Sequence, residues 1–390
     1  MSKLPGCIYT AFDTYPAPKG AAVHIREFAG TLFDLMGDGL LLALGSPDLP
    51  AWQFEPGCEI RRLVSQETNF IKRAAEFSEF VHFHASLLKD SLKIAHFRDP
   101  WGGLPLLDAL SPKCKTLYEV NALPSIELPT RFTGIPASFL DRIRAGENEC
   151  LERADAIVCP SQVIKNCLIG LGVKPEKISV IRNGAQIVDP ATIARPADAP
   201  DTYMIYVGAV QSWQGIETLF RAMTLLADLP GLQLVLCVSG SKARLKFLRR
   251  FAERLQIENR LIWNLKFNQN ELLPWLAHAD LSLAPLTECP RNIQQGCCPL
   301  KIIESMALGT TVIASDLPVV RELMQHNETG WLVRPDRPSE LARAIRILLA
   351  HHADRLRIGA AARETAVRDL SWHNAAEALQ NVYRRLLKEP

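Results

Sequence analysis

The chain has 390 residues, which exceeds what one ordinary hydrophobic core accommodates, so the length predicts two domains. Apolar residues make up 48% and charged residues 22%, ordinary values for a globular protein that exclude extensive disorder. Lys and Arg total 44 against 42 Asp and Glu, and the net charge of +2 excludes a global attraction to nucleic acid. Any preference for an anionic ligand must therefore be local.

The cysteines and the apolar segments bear on where the protein resides. None of the ten cysteines lies in a C-x-x-C pair, and the adjacent Cys297 and Cys298 lack the spacing of a zinc site. We therefore expect reduced thiols and no metal site. The N-terminal segment has no apolar core of signal-peptide length, and the longest apolar runs fall far short of the ~20 residues of a membrane span. These features predict a soluble cytoplasmic protein, at most peripheral to the inner face of the cell membrane.

Short apolar runs alternate with helical patterns along the chain, which indicates βαβ units and parallel sheets. In chain order the predicted strands are CIYTAF, LLLAL, KIAHF, KTLYEV, AIVCPS and KISVIRN, followed by MIYVGAV, LQLVLCV, RLIWNL, LSLAPL, TTVIAS and GWLVRP. Residues 186–203, between the two sets, are rich in Pro, Ala and Asp, as a linker would be.

The predicted fold class is α/β, with two Rossmann-like parallel-sheet domains facing across a cleft. Its parts are an N-terminal domain at residues 1–188, a linker at 189–202, a C-terminal domain at 203–370 and a C-terminal helix at 371–390. Ser371 is the predicted N-cap of that helix. Since no strand follows it, the helix is expected to pack back on the N-terminal domain.

Ligands of open parallel sheets bind beyond the carboxyl ends of the strands, so the loops that follow the strands are the places to look for function. Neither domain has a G-x-G-x-x-G sequence after its first strand. This absence disfavours a dinucleotide-dependent oxidoreductase.

The loop after the first strand contains Lys19, Gly20, Ala21 and Ala22 at the start of a helix. Small residues allow the backbone to approach a ligand, and the helix N-terminus favours an anion. The loop is therefore a candidate phosphate cradle. The alternative is a loop that glycine merely tightens at a helix entrance, which these residues fit equally well.

Two further polar loops follow successive strands. His96, Asp99 and Trp101 follow or end the strand KIAHF, and Glu119 and Asn121 follow or end the strand KTLYEV. Any one of these residues is more often structural than functional, but their clustering favours a binding role.

Lys301 and Glu304 share one face of an otherwise apolar helix in the sequence PLKIIESMALG. An intrahelical ion pair is the simple alternative and contributes only ~0.3 kcal/mol. Pro299 precedes this short helix and Gly309 ends it. A charge pair near the N-terminus of a buried helix is better explained by a ligand, with lysine for phosphate and glutamate for sugar hydroxyls.

The segment at residues 61–93 mixes basic and aromatic side chains. Its basic residues are Arg61, Arg62, Lys72, Arg73, Lys89 and Lys93, and its phenylalanines are Phe70, Phe77, Phe80 and Phe83. A helix of this composition suits contact with an anionic lipid surface. The alternative is a core helix with a solvated basic face.

Five segments together carry a resemblance to a known family: KGAAVHIREFAGTL, ENECLERADAIVCPSQVI, KISVIRNGAQIVDP, YVGAVQSWQGIETL and PLKIIESMALGTTVIASDLPVVRELMQHNETGWLVRPDRPSELARAI. The chain resembles the retaining, nucleotide-sugar-dependent glycosyltransferases of family 4, which have the B-type architecture of two Rossmann-like domains. The resemblance extends over almost the whole chain, and the last segment is its most specific part.

The resemblance assigns roles to individual residues. It implies that Glu304 is the second of two motif glutamates and binds the nucleotide ribose, while Lys301 neutralises the diphosphate. Gly20, Ala21 and Ala22 match the loop that covers the diphosphate. Asn121 lies where many relatives have a histidine close to the transferred sugar. The remaining assignments are Gly208, Gln214, Leu265, Lys266, Pro299 and Leu300 for donor binding, and His96, Asp99, Trp101 and Glu119 near the acceptor or sugar.

Three positions depart from the family pattern. Gly296 replaces the first motif glutamate, Ala209 replaces an arginine and Gln214 replaces a lysine. Arg291 is predicted to compensate for these losses, because a guanidinium can clamp a diphosphate through two hydrogen bonds. The predicted catalytic residues are therefore Lys301, Glu304, Arg291 and Asn121. The alternative is an exposed loop arginine with no ligand.

The resemblance implies transfer of a sugar from a nucleotide sugar, as co-substrate, to a hydroxyl of a carbohydrate or lipid-linked acceptor, without a cofactor. Cell-surface polysaccharide or glycolipid synthesis is the expected setting. The sequence has no D-x-D triplet, which favours a metal-independent reaction. Two alternatives stay open: a non-catalytic paralogue that binds a sugar nucleotide or a partner, and a sugar-nucleotide epimerase.

Overall fold

The computed structural model describes residues 4–132, 134–265 and 269–388. The chain divides into two compact units, of which the first comprises Met1–Arg182 with Ala375–Pro390 and the second comprises Asn183–Asn374. Each unit is an α/β domain with a largely parallel sheet. This confirms the predicted class of two Rossmann-like domains.

The sheet of the first unit has the strand order β3-β4-β2-β1-β5-β6-β7-β8, and its pairs are parallel except for the β3–β4 hairpin. Its strands are β1 Cys7–Thr14, β2 Leu40–Leu44, β3 Trp52–Glu55, β4 Cys58–Leu63, β5 Ile94–Phe97, β6 Lys115–Glu119, β7 Ala156–Cys159 and β8 Ile178–Val180. Every residue of β2 is buried, because a parallel strand is covered by helices on both faces.

The helices of the first unit are α1 Gly20–Met36, α2 Phe70–Leu88, α3 Pro100–Ala109, α4 Pro124–Arg131, α5 Ala137–Arg153, α6 Gln162–Gly170 and most of α14 Trp372–Leu387. Side-chain caps fix the starts of several of these helices, among them α2 and α3. Asn69 accepts hydrogen bonds from the backbone N–H groups of Ile71 and Lys72 at the start of α2, and Asp99 accepts one from Gly102 at the start of α3.

The segment at residues 61–93 does not form the single basic, aromatic helix expected from the sequence. It begins in β4, and α2 starts only at Phe70. Arg62 is 3% exposed and donates to the carbonyls of Tyr15 and Pro50, at 2.7 and 2.8 Å, while Phe77 is fully buried in the core. The basic and aromatic side chains are therefore distributed between core and surface. No described helix has the length and hydropathy needed to cross a membrane.

The sheet of the second unit has the order β11-β10-β9-β12-β13-β14 and is parallel throughout the described strands. Its strands are β9 Tyr203–Ala209, β10 Gln233–Ser239, β11 Leu261–Asn264, β12 Leu281–Ala284, β13 Val312–Ser315 and β14 Trp331–Val333. Its helices are α7 Ile216–Thr224, α8 Lys242–Arg254, α9 Gln269–Ala277, α10 Leu300–Ala307, α11 Pro318–Arg321, α12 Pro338–Ala350 and α13 His352–Asp369.

The strand orders determine where each unit can hold a ligand. In the first unit β1 lies between β2 and β5, and in the second unit β9 lies between β10 and β12. The strand order reverses between β1 and β5 in the first sheet and between β9 and β12 in the second. The loops that leave the two strands of each pair therefore separate at the edge of the sheet. Such switch points are where open parallel sheets bind ligands.

The second unit begins at Asn183, before the predicted linker at residues 189–202. The Asn183 side chain donates to the carbonyl of Cys298 at 2.8 Å, and the backbone of Ala185 donates to Leu370 at 2.8 Å. These hydrogen bonds attach the chain to the second unit from Asn183 onward, before the Pro- and Ala-rich residues that were predicted to form the linker. At the other end, the Ser371 hydroxyl accepts from the backbone N–H of Asn374 at 3.1 Å, and α14 starts at Trp372.

Candidate functional site

Lys301 lies at the switch point of the second unit, on the first turn of α10. Its side chain is 8% exposed, its Nζ donates to Oε1 of Gln214 at 2.6 Å, and Nζ lies 4.1 Å from the ring centre of Tyr206. Gln214 follows β9, whereas α10 follows the loop that leaves β12. The hydrogen bond therefore joins the two loops that flank the switch point.

Burial lowers the pKa of Lys301 to about 7, and the positive charge of Arg291 acts in the same direction. Cys297 and Glu304 oppose this change. Among the described residues, the hydrogen-bond partner of Nζ is a neutral amide. The positive charge of protonated Lys301 is thus only partly balanced by its surroundings. An anionic ligand at this position would stabilise the protonated form.

Gly208 provides the space in which Lys301 lies. Its φ of +132° is a backbone conformation that residues with a side chain rarely adopt, and an added Cβ would lie 3.2 Å from Nζ of Lys301. Pro299 and Leu300 are half-buried and lead into α10. Glu304, one turn after Lys301, is 8% exposed. Both motif charges are therefore buried in the second unit rather than directed into bulk solvent.

Arg291 belongs to a π-helical turn, Arg291–Gln295, in the loop between β12 and α10. It is half-buried, its guanidinium lies 5.1 Å from the ring centre of Trp213, and Nη1 donates to Oδ1 of Asn292 at 3.0 Å. Asn292 is fully buried and donates to the carbonyl groups of Trp213 and Thr287 at 3.0 and 2.8 Å. Asn292 thus anchors the loop between β12 and α10, and the guanidinium of Arg291 is held close enough to Lys301 to lower its pKa.

Gly296, which replaces the first motif glutamate, has a backbone conformation that suits glycine. Its φ of 92° and ψ of 176° belong to a region that glycine alone adopts readily. A glutamate at this position would require a different loop conformation. The glycine at position 296 thus matches the backbone conformation that this loop adopts.

Leu265 directly follows β11 and is 41% exposed. Lys266, predicted with it to hold the base, lies outside the described residues. The assignment of this pair to base binding stays a prediction.

The first unit has a cavity of about 460 Å³ at its own switch point. We call it the first-unit cavity. The predicted site residues Asp99, Trp101 and Asn121 line it. The other charged residues of its wall are Asp13, Lys19, Arg73, Arg98, Glu127 and Arg131.

His96 and Glu119, predicted to lie near the acceptor, are 0% and 1% exposed. Glu119 accepts hydrogen bonds from the Tyr9 hydroxyl at 2.6 Å, from Nε of Arg98 at 2.7 Å and from the Asn121 amide. The structure therefore places Glu119 behind the wall of the first-unit cavity. From there its carboxylate positions Arg98 and Asn121, which both line the cavity.

Two imidazoles complete the cluster around Glu119. Nε2 of His24 lies 2.8 Å and Nε2 of His96 lies 3.1 Å from its carboxylate oxygens, and the hydroxyl of Tyr383, on α14, contacts Nδ1 of His96 at 2.7 Å. We refer to Tyr9, His24, His96, Arg98, Glu119 and Asn121 as the Glu119 cluster. Burial alone would raise the pKa of Glu119, but His24 and Arg98 hold it well below the usual range.

The predicted phosphate cradle lies at the start of α1. Gly20 is its first residue, Lys19 precedes it and forms an ion pair with Asp13, and Ala22 is buried. The carbonyl of Ala21 lies 3.5 Å from Nη1 of Arg98. The assignment of this helix entrance to diphosphate binding stays a prediction. Within the described ranges, no group of three or more His, Cys, Asp or Glu is arranged to hold a metal ion.

Comparison with known proteins agrees with this architecture. The model of the family described as Glycosyltransferase Family 4 matches residues 18–187, and that of Glycosyl transferases group 1 matches residues 193–365. The alpha-maltose-1-phosphate synthase of Mycolicibacterium smegmatis is 26% identical over 94% of this chain and 95% of its own.

Two solved structures show the same fold. The sucrose-phosphate synthase of Thermosynechococcus elongatus has a TM-score of 0.80 at 21% identity, over 98% of this chain and 99% of that chain. Anabaena HepE in complex with UDP-glucose has a TM-score of 0.73 at 18% identity, over 97% and 99%. Fold and family matches together define a glycosyltransferase of the B-type architecture. The chain belongs to glycosyltransferase family 4.

We predict that Glu119→Gln lowers the free energy of unfolding by about 3–5 kcal/mol, because it leaves the buried Arg98 without its charged partner. Denaturation with urea measures the change. Glu79→Gln, on the exposed side of α2, is the matched control and should change stability by less than about 0.5 kcal/mol. Equal effects of the two substitutions would show that the Glu119 cluster contributes nothing to folding.

We predict that Gly208→Ala destabilises the protein by roughly 1–3 kcal/mol, because alanine strains the backbone and crowds Lys301. Gly231→Ala is the control, since nothing lies within 4 Å of a Cβ added there. Thermal unfolding of both variants checks the prediction. A Gly208→Ala variant as stable as Gly231→Ala would contradict the tight placement of the Lys301 amine.

Proposed function

We propose that the protein transfers a sugar from a nucleoside diphosphate sugar to an acceptor hydroxyl, with retention of the anomeric configuration. The observation that carries this proposal is the buried amine of Lys301, which has a neutral hydrogen-bond partner and lies at the switch point of the second unit. Anabaena HepE, a structural neighbour, is described in complex with UDP-glucose, which supports a nucleotide sugar as the donor.

In this proposal the two cations of the second unit stabilise the leaving group. When the bond between the anomeric carbon and the diphosphate breaks, negative charge increases on the phosphate oxygens. Lys301 and Arg291 are charge-assisted hydrogen-bond donors for these oxygens, and each ~1.4 kcal/mol of selective stabilisation increases the rate tenfold. The carboxylate of Glu304 accepts hydrogen bonds from the ribose hydroxyls.

Retention follows if the acceptor attacks from the face that the diphosphate leaves. The leaving phosphate then accepts the proton of the attacking hydroxyl, so the reaction needs no separate carboxylate base and no metal ion. We assign Asn121, which lines the first-unit cavity, to the vicinity of the transferred sugar. A carbohydrate or lipid-linked acceptor at the inner face of the cell membrane, in polysaccharide or glycolipid synthesis, fits this reaction.

A second candidate function is binding of a sugar nucleotide without turnover. The glycine-specific backbone at Gly296 and the neutral Ala209 and Gln214 favour it, because each removes a charge from the donor site. Acceptor-free hydrolysis of a panel of nucleotide sugars separates the two functions. Slow release of the nucleoside diphosphate supports transfer chemistry, whereas tight binding without release, unchanged in Glu304→Ala, contradicts it.

We predict that Lys301→Met weakens UDP binding at least about tenfold, because hydrogen bonds to a charged donor contribute ~1.5–3 kcal/mol. Its stability should be unchanged or higher, since methionine replaces a buried amine that has a neutral partner. Calorimetric titration with UDP and urea denaturation measure the two quantities. The control is Lys246→Met on the exposed side of α8. Parallel loss of binding and stability would indicate that Lys301 is only structural.

The pKa of Lys301 predicts how stability and UDP affinity depend on pH. The folded pKa is about 7 and the ordinary value is 10.5, so the unfolded chain binds more protons between these values. Lys301 therefore makes the free energy of unfolding rise with pH across that window. UDP favours the protonated amine, so its affinity should fall above about pH 7.

Titration of UDP at several pH values between about 6.5 and 8.5, in the wild type and in Lys301→Met, tests this pH dependence. Because UDP ionises in the same way in both titrations, the ratio of the wild-type and Lys301→Met affinities removes the effect of its phosphate ionisation. We expect the wild-type affinity relative to that of Lys301→Met to decrease several-fold over this range. A constant ratio would show that Lys301 does not change protonation when UDP binds.

A further inference from the structure

We propose that the first-unit cavity binds an acceptor that combines a sugar or polyol ring with a phosphate group. This inference rests on the proposed transferase function and specifies the substrate class of its acceptor site. The argument uses three features of the cavity wall: a group of aromatic rings, two arginines without a carboxylate partner in the described contacts, and carboxylates suited to hydroxyl groups.

The position and size of the cavity fit a small cyclic ligand. It lies where the loops after β1 and β5 separate, which is the ligand-binding edge of a parallel sheet. Its volume of about 460 Å³ is in the range of small-molecule sites.

Four aromatic rings form one side of the cavity. The ring centre of Phe70 lies 5.5 Å from that of Phe12, 5.2 Å from that of Trp101 and 5.9 Å from that of Phe132. All four rings line the cavity, and Phe132 is 44% exposed. Such a wall offers flat apolar surface against which the C–H face of a sugar or polyol ring can pack.

Arg73 lines the same cavity from α2 and has unused hydrogen-bonding capacity. Its Nε is buried and has no hydrogen-bond partner among the described residues, while Nη1 donates to the carbonyl of Glu67 at 3.2 Å. Its guanidinium carbon lies 6.0 Å from the ring centre of Phe12. A buried donor left unsatisfied is costly, so its position beside a cavity indicates a ligand that accepts this hydrogen bond.

The other cations of the wall differ in their partners. Lys19 pairs with Asp13, and Arg98 pairs with Glu119. Arg131, the last residue of α4, lines the cavity, and its side chain makes no ion pair within the part of the chain that the structure describes. Arg73 and Arg131 are therefore the cations available to an anion. The planar donor groups of arginine match phosphate oxygens better than the point charge of lysine does.

The carboxylates of the wall argue for a ring that carries hydroxyl groups as well. Asp99 accepts hydrogen bonds from the backbone N–H groups of Phe12 and Gly102, at 2.7 and 2.8 Å. Asp13 and Glu127 line the cavity and are acceptors for hydroxyl groups. A neutral sugar would leave Nε of Arg73 unsatisfied.

Binding measurements on the full chain with saturating UDP test the proposal. Two soluble probes are glucose 1-phosphate and fructose 6-phosphate, and each is compared with its unphosphorylated parent sugar. The third probe is a prenyl-linked sugar phosphate in detergent, which is compared with the same lipid-linked sugar without phosphate. The variants are Arg73→Met, which keeps the apolar stem against Phe12, and Arg131→Gln. The matched control is Lys72→Met, which removes the exposed cation next to Arg73 on the same helix.

We expect at least one phosphorylated probe to bind at least tenfold more tightly than its parent in the wild type and in Lys72→Met. The preference should fall below threefold in Arg73→Met and decrease in Arg131→Gln. A preference limited to the prenyl-linked pair supports the phosphate assignment and places the acceptor on a lipid.

Equal binding of phosphorylated and parent probes, no binding of any phosphorylated probe, or a preference that persists in both arginine variants would overturn the proposal. Donor hydrolysis by the wild type distinguishes this failure from failure of the proposed function. If the wild type releases UDP from a nucleotide sugar but shows no phosphate preference, the transferase proposal stands and the acceptor class is wrong.

Discussion

The candidate ligand site of the second unit depends on how the unit buries the amine of Lys301. A buried ammonium normally needs a carboxylate, because transfer of a charge out of water is expensive. Here Nζ meets the neutral amide of Gln214 and the ring face of Tyr206, and a glycine at position 208 allows the close approach. The second unit thus keeps a cation at its switch point with a neutral hydrogen-bond partner, and the nearby Cys297 and Glu304 offset the effect of burial on its pKa only in part. This imbalance is what makes the position a candidate diphosphate site.

The Glu119 cluster in the first unit shows the opposite arrangement. Glu119 is as deeply buried, yet it contacts Arg98 and two imidazoles, so its pKa is held well below the usual range. The protein itself satisfies the charge of Glu119, and the cluster positions Arg98 and Asn121, which line the first-unit cavity. Lys301 and Glu119 are both buried, but they differ in their partners. Lys301 donates to a neutral amide, whereas Glu119 contacts an arginine and two imidazoles.

The sequence predicted the repeated α/β pattern and most strands, because each fully covered parallel strand is a short apolar run. It missed β3 and β4, since Arg62 is a buried strand residue whose backbone acceptors come from distant loops. Lys301 and Glu304 were identifiable because charges interrupt an apolar helix. The Glu119 cluster was not, because contacts such as that between Tyr9 and Glu119 join residues 110 positions apart, and no local pattern encodes them.

The departures from the family pattern lie in two separate connections: Ala209 and Gln214 lie at the end of β9 and after it, and Gly296 lies between β12 and α10. The π-helical turn at Arg291–Gln295 and the glycine-specific backbone at Gly296 belong to the same connection, which Asn292 anchors to the carbonyl groups of Trp213 and Thr287. The turn that removes the motif glutamate also holds Arg291 over Trp213, close enough to lower the pKa of Lys301. This connection therefore has no side chain at the position of the motif glutamate and supplies the cation of Arg291 to the proposed donor site. If the site binds a diphosphate, as proposed, the cation of Arg291 offsets the neutral residues at positions 209 and 214, which argues against loss of function at this site.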